Sequence, residues 1–134
     1  MAARRRSRQS AKAAGSRFER ELADYLATHV DDRIDRRVKT GAKDKGDLAG
    51  VRLAPALGGG RVTVECKNTA TTQLSLHREA EAERLNDDAV VALLAHKRHG
   101  VGAPGQQWIT CTVDDLIALL TGRRPVEPEC STDQ

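Results

Sequence analysis

The chain has 134 residues, of which 39% are hydrophobic, which is enough for one compact domain with a modest core. It contains one Phe, one Tyr and one Trp, which argues against a surface where several aromatic rings stack on exposed bases. The net charge is only +3, but the first twenty residues are strongly basic. Their cations are Arg4, Arg5, Arg6, Arg8, Lys12, Arg17 and Arg20, against the single acid Glu19. Such a segment is typical of an arm that binds a polyanion, although a solvated tail or a localisation signal has the same composition.

The cysteines and the apolar runs bear on the cellular compartment. Cys66, Cys111 and Cys130 are odd in number and show no Cys-x-x-Cys spacing, which argues against a disulfide framework. No apolar run approaches the ~20 residues of a membrane-spanning helix, and none follows the basic start as it would in a secretory signal. We therefore expect a reduced, cytoplasmic protein that does not associate with membranes.

The amino-terminal third is predicted to form an arm and a helix. Residues 1–14 have no large apolar side chain beyond the initiating methionine and are expected to be a flexible basic arm. Ser16 and Glu19 have the spacing of a capping box, which predicts that a first helix starts there. A stripe at helical spacing continues this helix through His29, and Val30 to Asp32 are expected to end it.

The rest of the chain is predicted to alternate between strands and helices. Strands are expected at 34–39, 47–53, 61–67, 89–95 and 108–111, with helices at 74–85 and from the capping residue Thr112 to Gly122. A turn rich in Pro and Gly joins the second and third strands, which favours an antiparallel hairpin. This order predicts a single α/β domain at 15–122, with a central mixed β-sheet flanked by helices, and a disordered tail at 123–134.

The third predicted strand carries the residues with the most reactive chemistry. Its period of two turns Cys66 towards the core and places Glu65 and Lys67 together on the opposite face. Asp47 opens the partner strand, where it could meet Glu65 across the ladder or at the open end of the ladder. Two carboxylates there would repel each other unless a hard cation such as Mg²⁺ or Mn²⁺ neutralised them. Such an ion activates water for attack on phosphorus, and Lys67 would orient that water or offset the growing charge.

These residues resemble the motif of a known family. A Glu-x-Lys pair alone in a strand is more often an ion pair than a site, but here it follows Asp47 in a Gly-Asp context. Upstream, residues 15–21 read GSRFERE. Together these segments resemble the PD-(D/E)XK nuclease superfamily, and within it the archaeal-type Holliday-junction resolvases and their phage relatives. The resemblance covers residues 15–96 and departs from the family pattern at Gly46, where many members have Pro.

The resemblance implies a restriction-endonuclease-like fold and a homodimer that cleaves four-way DNA junctions with Mg²⁺, for which Mn²⁺ would substitute. It implies that Asp47 and Glu65 are direct metal ligands, that Glu19 is the helix acid of the metal site, and that Lys67 is the catalytic lysine. Glu21 is the alternative helix acid, because the two glutamates flank the apolar stripe on opposite sides. The residues expected to contact DNA are Arg4, Arg5, Arg6, Arg8, Lys12, Arg17, Lys43 and Lys45.

Two other functions fit the same sequence. One is a PD-(D/E)XK nuclease of different specificity, such as a restriction-like, repair or flap endonuclease. The other is a DNA-binding module without catalysis, in which the acids form only salt bridges and the basic arm provides the affinity.

Overall fold

The computed structural model of the chain describes residues 7–38, 44–69 and 74–125. The helices and strands, in chain order, are α1 (Arg8–His29), β1 (Asp35–Arg36), β2 (Leu48–Ala49), β3 (Val62–Lys67), α2 (Leu74–Asn86), β4 (Val91–His96), β5 (Trp108–Thr110) and α3 (Val113–Thr121). Within these ranges, none of the helices combines the length and the apolar character needed to cross a membrane.

The strands form two sheets. β4 lies in the middle of a mixed sheet, parallel to β3 and antiparallel to β5, and α2 provides the crossover between β3 and β4. β1 and β2 pair separately as a two-stranded antiparallel sheet. The predicted α/β class with a mixed sheet is confirmed, but the prediction that all strands join one sheet is wrong in the described part of the chain. Pairing between distant strands depends on tertiary contacts, which local periodicity does not report.

The predicted hairpin between the second and third strands is present only in part. An antiparallel bridge pairs Arg52 with Arg61, and the Asp47 amide donates to the Val64 carbonyl at 2.8 Å. Between these contacts, the Val62 amide donates to the Val51 carbonyl at 2.9 Å, and β2 itself pairs with β1. Asp47 is therefore attached to β3 through its own backbone amide.

One apolar core joins α1 to the mixed sheet. Phe18 and Leu22 on α1 belong to the same buried cluster as Val64 on β3 and Val91 on β4. As its apolar run predicts, β4 is largely buried along its length. This core fixes α1 beside β3, the two elements that carry the predicted helix acid and the Glu-x-Lys pair.

α1 begins at Arg8, so the predicted start at Ser16 is wrong. The hydroxyl of Ser7 accepts the capping hydrogen bond. Residues 8–14, predicted to be a flexible arm, are helical because they consist mainly of Ala, Arg, Lys and Gln, which favour helix even without burial. The remainder of the predicted arm, residues 1–6, lies outside the described ranges.

The carboxy-terminal helix has the predicted boundaries. Thr112 and Asp115 form a capping box, and Gly122 ends α3 in the left-handed conformation with φ of 87°. Residues 126–134, most of the predicted tail, lie outside the described ranges.

Candidate active site

Glu65 and Lys67 lie on β3 and contact each other, as the strand period predicts. The ammonium nitrogen of Lys67 is 3.3 Å from Oε1 of Glu65 and 3.1 Å from Oε2 of Glu79 on α2. Burial alone would lower the pKa of Lys67, but these carboxylates outweigh it and the pKa is raised. The lysine is therefore held as a cation between β3 and α2.

Asp47 is held beside β3 through both its backbone and its side chain. Asp47 is 3% exposed. Its backbone amide donates to the Val64 carbonyl, and its backbone carbonyl accepts from the Arg37 amide at 2.8 Å. Its Oδ2 accepts a hydrogen bond from the amide of Cys66 at 2.7 Å. Because Cys66 separates Glu65 from Lys67, this bond fixes the Asp47 carboxylate next to both functional positions. The structure thus brings together three of the predicted site residues.

A further buried carboxylate, which the sequence did not predict, faces Glu65 from α2. Glu83 is 5% exposed, as is Glu65, and the Oε2 atoms of both are buried without a hydrogen-bond partner among the described residues. Carboxylate oxygens of Asp44, Glu65 and Glu83 all lie within 4.8 Å of one another. The available signal was the four-residue spacing of Glu83 from Glu79, which places both on one face of α2.

Burial dominates the electrostatics of Glu65 and Glu83. It is the largest cause that raises the pKa of Glu65 and the pKa of Glu83. A hydrogen bond between the two side chains opposes the rise at Glu65 and adds to it at Glu83, so Glu83 is the better holder of a shared proton. The negative charge of Asp47 raises both pKa values further. A set of buried carboxylate oxygens with two unpartnered atoms fits a hard divalent cation such as Mg²⁺ or Mn²⁺.

Glu19 lies beside the site but outside this set of carboxylates. Its Oε2 accepts hydrogen bonds from Arg36 on β1, at 3.1 Å from Nε and 2.9 Å from Nη2. Its charge is among the causes, after burial and Asp47, that raise the pKa of the Cys66 thiol. Glu21, the alternative helix acid, likewise does not belong to the carboxylate set among the described residues. Glu19 thus faces β3 while it is paired with an arginine.

The described basic residues predicted to contact DNA lie on α1 and in the segment before Asp47. Arg8, Lys12 and Arg17 are exposed on α1, and Lys12 lines an open depression of about 510 Å³ together with Glu19. Lys45 lines a second cleft, of about 270 Å³. The cations that share this cleft with Lys45 are Arg37, Arg52 and Arg61. The predicted contacts Arg4, Arg5, Arg6 and Lys43 lie outside the described ranges.

Gly46, which precedes Asp47, allows a test of how Asp47 is positioned. Its φ is +94°, and a Cβ there would lie 2.8 Å from Cγ2 of Thr63 and 3.1 Å from the Val64 carbonyl oxygen. Gly46→Ala should therefore lower the free energy of unfolding by about 1–3 kcal/mol, through backbone strain plus this clash. Proline is excluded as well, because its ring fixes φ near −65°.

The matched control for Gly46→Ala is Gly59→Ala. Gly59 also has positive φ, at +67°, but a Cβ there would meet nothing within 4 Å. Chemical denaturation of both variants separates the strain, which they share, from the contact with β3. Equal losses of stability would show that the close approach to Thr63 and Val64 has no energetic consequence.

No protein family model matches this chain, and neither the curated proteins nor the solved structures include a significant match to it.

Proposed function

We propose that this chain is a metal-dependent endodeoxyribonuclease of the PD-(D/E)XK type, with a restriction-endonuclease-like fold, that resolves four-way DNA junctions. The observation that carries the proposal is the placement of Asp47, buried and bonded to the Cys66 amide, beside Glu65 and Lys67. An ion pair formed for stability alone does not need a second buried carboxylate, because burying an extra negative charge costs free energy.

Each residue has a separate task in this proposal. Asp47 and Glu65 would hold the divalent cation, and the hydrogen bond from the Cys66 amide orients the Asp47 carboxylate. When bound, such a cation polarises a phosphoryl oxygen and lowers the pKa of a coordinated water. Lys67, anchored by Glu65 and Glu79, would donate hydrogen bonds towards the scissile phosphate, where negative charge increases during attack.

The exposed cations on α1 support a DNA path that leads to this site. Arg8 and Lys12 are one helical turn apart, and Lys12 lines the same depression as Glu19 and Arg36. A phosphate backbone that follows α1 would therefore reach the edge of the site. These cations would supply affinity that does not depend on sequence and that falls as salt rises.

The double variant Arg8→Ala/Lys12→Ala tests this path through the salt dependence of binding. We expect the variant to bind the four-way junction more weakly in Ca²⁺, where cleavage does not proceed. The slope of log K against log salt should be smaller by about two, since each phosphate contact contributes roughly 0.9. Fluorescence anisotropy at several salt concentrations measures both quantities. Arg33→Ala/Arg123→Ala is the control, since it also removes two exposed cations, neither of which belongs to α1. The same change of slope in the control would assign the effect to net charge alone.

The proposed homodimer is supported by exposed apolar side chains on neighbouring elements. Trp108 and Ile109 on β5, and Leu116 and Leu120 on α3, are all exposed. β5 pairs with β4 on one side only, so in the described sheet it is an edge strand. A two-fold dimer would suit the symmetric strands of a four-way junction.

A cleavage assay on defined DNA decides between the functions. With Mg²⁺ or Mn²⁺, the purified chain should make paired symmetric nicks in a synthetic four-way junction and cut linear duplex far less. Preferential cutting of linear duplex or of flaps would assign the chain to a nuclease of different specificity. Binding of the junction without any nick, in either metal, would leave only the DNA-binding module and refute the proposed activity.

A further inference from the structure

We propose that Glu83 on α2 and Asp44, in the segment before Asp47, hold a divalent cation together with Glu65, at a position beside the cation that Asp47 and Glu65 would hold. This ligand set differs from the one that the family resemblance implies, because Glu83 and Asp44 join it while Asp47 and Glu19 do not. The catalytic use of the ion rests on the proposed nuclease function, whereas its binding does not.

The distances allow one ion to contact all three carboxylates. Ca²⁺, Mg²⁺ and related hard cations bind carboxylate oxygens at about 2.0–2.6 Å, so two oxygens on one ion are at most about 5 Å apart. The oxygens of Asp44, Glu65 and Glu83 lie within 4.8 Å of one another, which is inside that limit. Asp47 is not a member of this set, so its carboxylate marks a neighbouring position.

The burial of Glu65 and Glu83 points to a ligand. Both residues are 5% exposed, and when both carboxyls are ionised an Oε2 atom of each has no hydrogen-bond donor among the described residues. Buried polar atoms are nearly always satisfied, and two buried acids that face each other are unfavourable without a compensating charge. A cation between them would satisfy both atoms at once.

The position of Asp44 distinguishes a bound cation from a simpler explanation, a proton shared between the two glutamates. A proton shared between Glu65 and Glu83 would explain the buried pair, but it would not attract a third acid. Asp44 is exposed and would be repelled by two buried carboxylates, yet its side chain is fixed there by a hydrogen bond from the Gly46 amide to Oδ1 at 2.9 Å. A bound cation would offset the repulsion among all three carboxylates.

Binding of Mn²⁺, measured by the electron paramagnetic resonance of the free ion, tests the proposal without any activity assay. The titration uses Asp47→Asn as the background, so that binding which needs Asp47 does not contribute. We expect this background to bind Mn²⁺, and added Glu83→Gln to weaken that binding by about tenfold or more, since even outer-shell partners of a metal are worth 10–100-fold. Asp44→Asn, added to the same background, should also weaken Mn²⁺ binding. Because Asp44 is exposed, this substitution should leave the fold intact.

Glu81→Gln is the matched control, because Glu81 lies on the same helix and pairs locally with Arg84. It should leave the Mn²⁺ affinity unchanged. Thermal unfolding without metal serves as the folding check. Because glutamine can still donate a hydrogen bond to Glu65, adding Glu83→Gln should not lower the melting temperature below that of Asp47→Asn alone. Loss of all binding with Asp47→Asn alone, or equal Mn²⁺ affinity with and without Glu83→Gln, would overturn the inference. If Mn²⁺ binds as expected while the wild-type chain cuts no DNA, the proposed nuclease function fails and this cation site stands.

Discussion

Asp47→Asn is expected to lower the rate of junction cleavage by about a thousandfold or more while junction binding changes little. The substitution keeps the size of the side chain and an oxygen that can accept the hydrogen bond from the Cys66 amide. It removes the negative charge with which Asp47 would hold a cation. Single-turnover cleavage of a labelled four-way junction in Mg²⁺ measures the rate, and a gel-shift assay in Ca²⁺ measures binding.

Asp24→Asn is the control for Asp47→Asn, because Asp24 is an exposed acid on α1 that pairs with Arg20. It should cleave at the wild-type rate. Glu65→Gln should reproduce the loss seen with Asp47→Asn, and Lys67→Ala should reduce cleavage by about a hundredfold or more through the loss of its hydrogen bonds to the phosphate. Loss of binding in parallel with cleavage would show that Asp47 supports the fold of this surface instead of the chemistry.

The part of the site that lies on one strand could be predicted from the sequence. Alternation along β3 places Glu65 and Lys67 on one face, and this geometry is the same in any sheet that contains the strand. The position of Asp47 beside β3 also followed from the turn that joins the two segments. These predictions depend on local rules that tertiary contacts did not override.

The contribution of α2 could not be predicted in the same way. Glu83 is buried although it is charged, so it occupies a position where an apolar residue would normally mark the inward face of the helix. The apolar stripe of α2 is weak for that reason, and the sequence pattern predicts that Glu83 belongs to a solvent-exposed surface. Asp44 reaches the same place through the path of the segment before β2, which depends on the left-handed Gly46. Both residues are brought to Glu65 by packing between elements that are distant in sequence.

The start of α1 was mispredicted for a related reason. The first residues of the helix have no apolar stripe, because they project beyond the core that Phe18 and Leu22 enter. Their helicity follows from intrinsic propensity and the Ser7 cap, which are weaker signals than burial. The consequence for function is that Arg8 and Lys12 present their charges from an ordered helix.

The second large effect is expected at Asp115, away from the proposed site. Asp115 is 2% exposed, and its carboxylate accepts hydrogen bonds from the amides of Ala92 and Thr112 and from Arg124. These bonds join α3 and Arg124 to the central strand β4. Asp115→Ala should lower the free energy of unfolding by about 3–5 kcal/mol, because it removes the buried carboxylate that accepts from the partly exposed Arg124 and from two amides. Urea denaturation at neutral pH measures the change.

The pH dependence of stability assigns this loss to the charge of Asp115. Burial alone would raise its pKa, but the hydrogen bonds from Ala92, Arg124 and Thr112 outweigh burial, and the pKa is lowered. At a pH near or below the unfolded value of about 3.9, the unfolded chain therefore binds more protons than the folded one, so stability falls as the pH drops. The contribution of the carboxylate is complete above that value and is lost as the pH falls through the lower pKa of the folded state.

Asp115→Asn separates charge from shape, and Asp114→Ala is the positional control on the same turn of α3, since Asp114 is exposed. The difference in the free energy of unfolding between wild type and Asp115→Asn should shrink as the pH is lowered from about 5 to about 2. Asp114→Ala should cost less than about 1 kcal/mol, the size of an exposed charge at a helix amino terminus. A difference between wild type and Asp115→Asn that stays constant over this range would mean that shape and hydrogen-bond geometry, not ionisation, make Asp115 important. In that case the depressed pKa would contribute nothing to the attachment of α3 to β4.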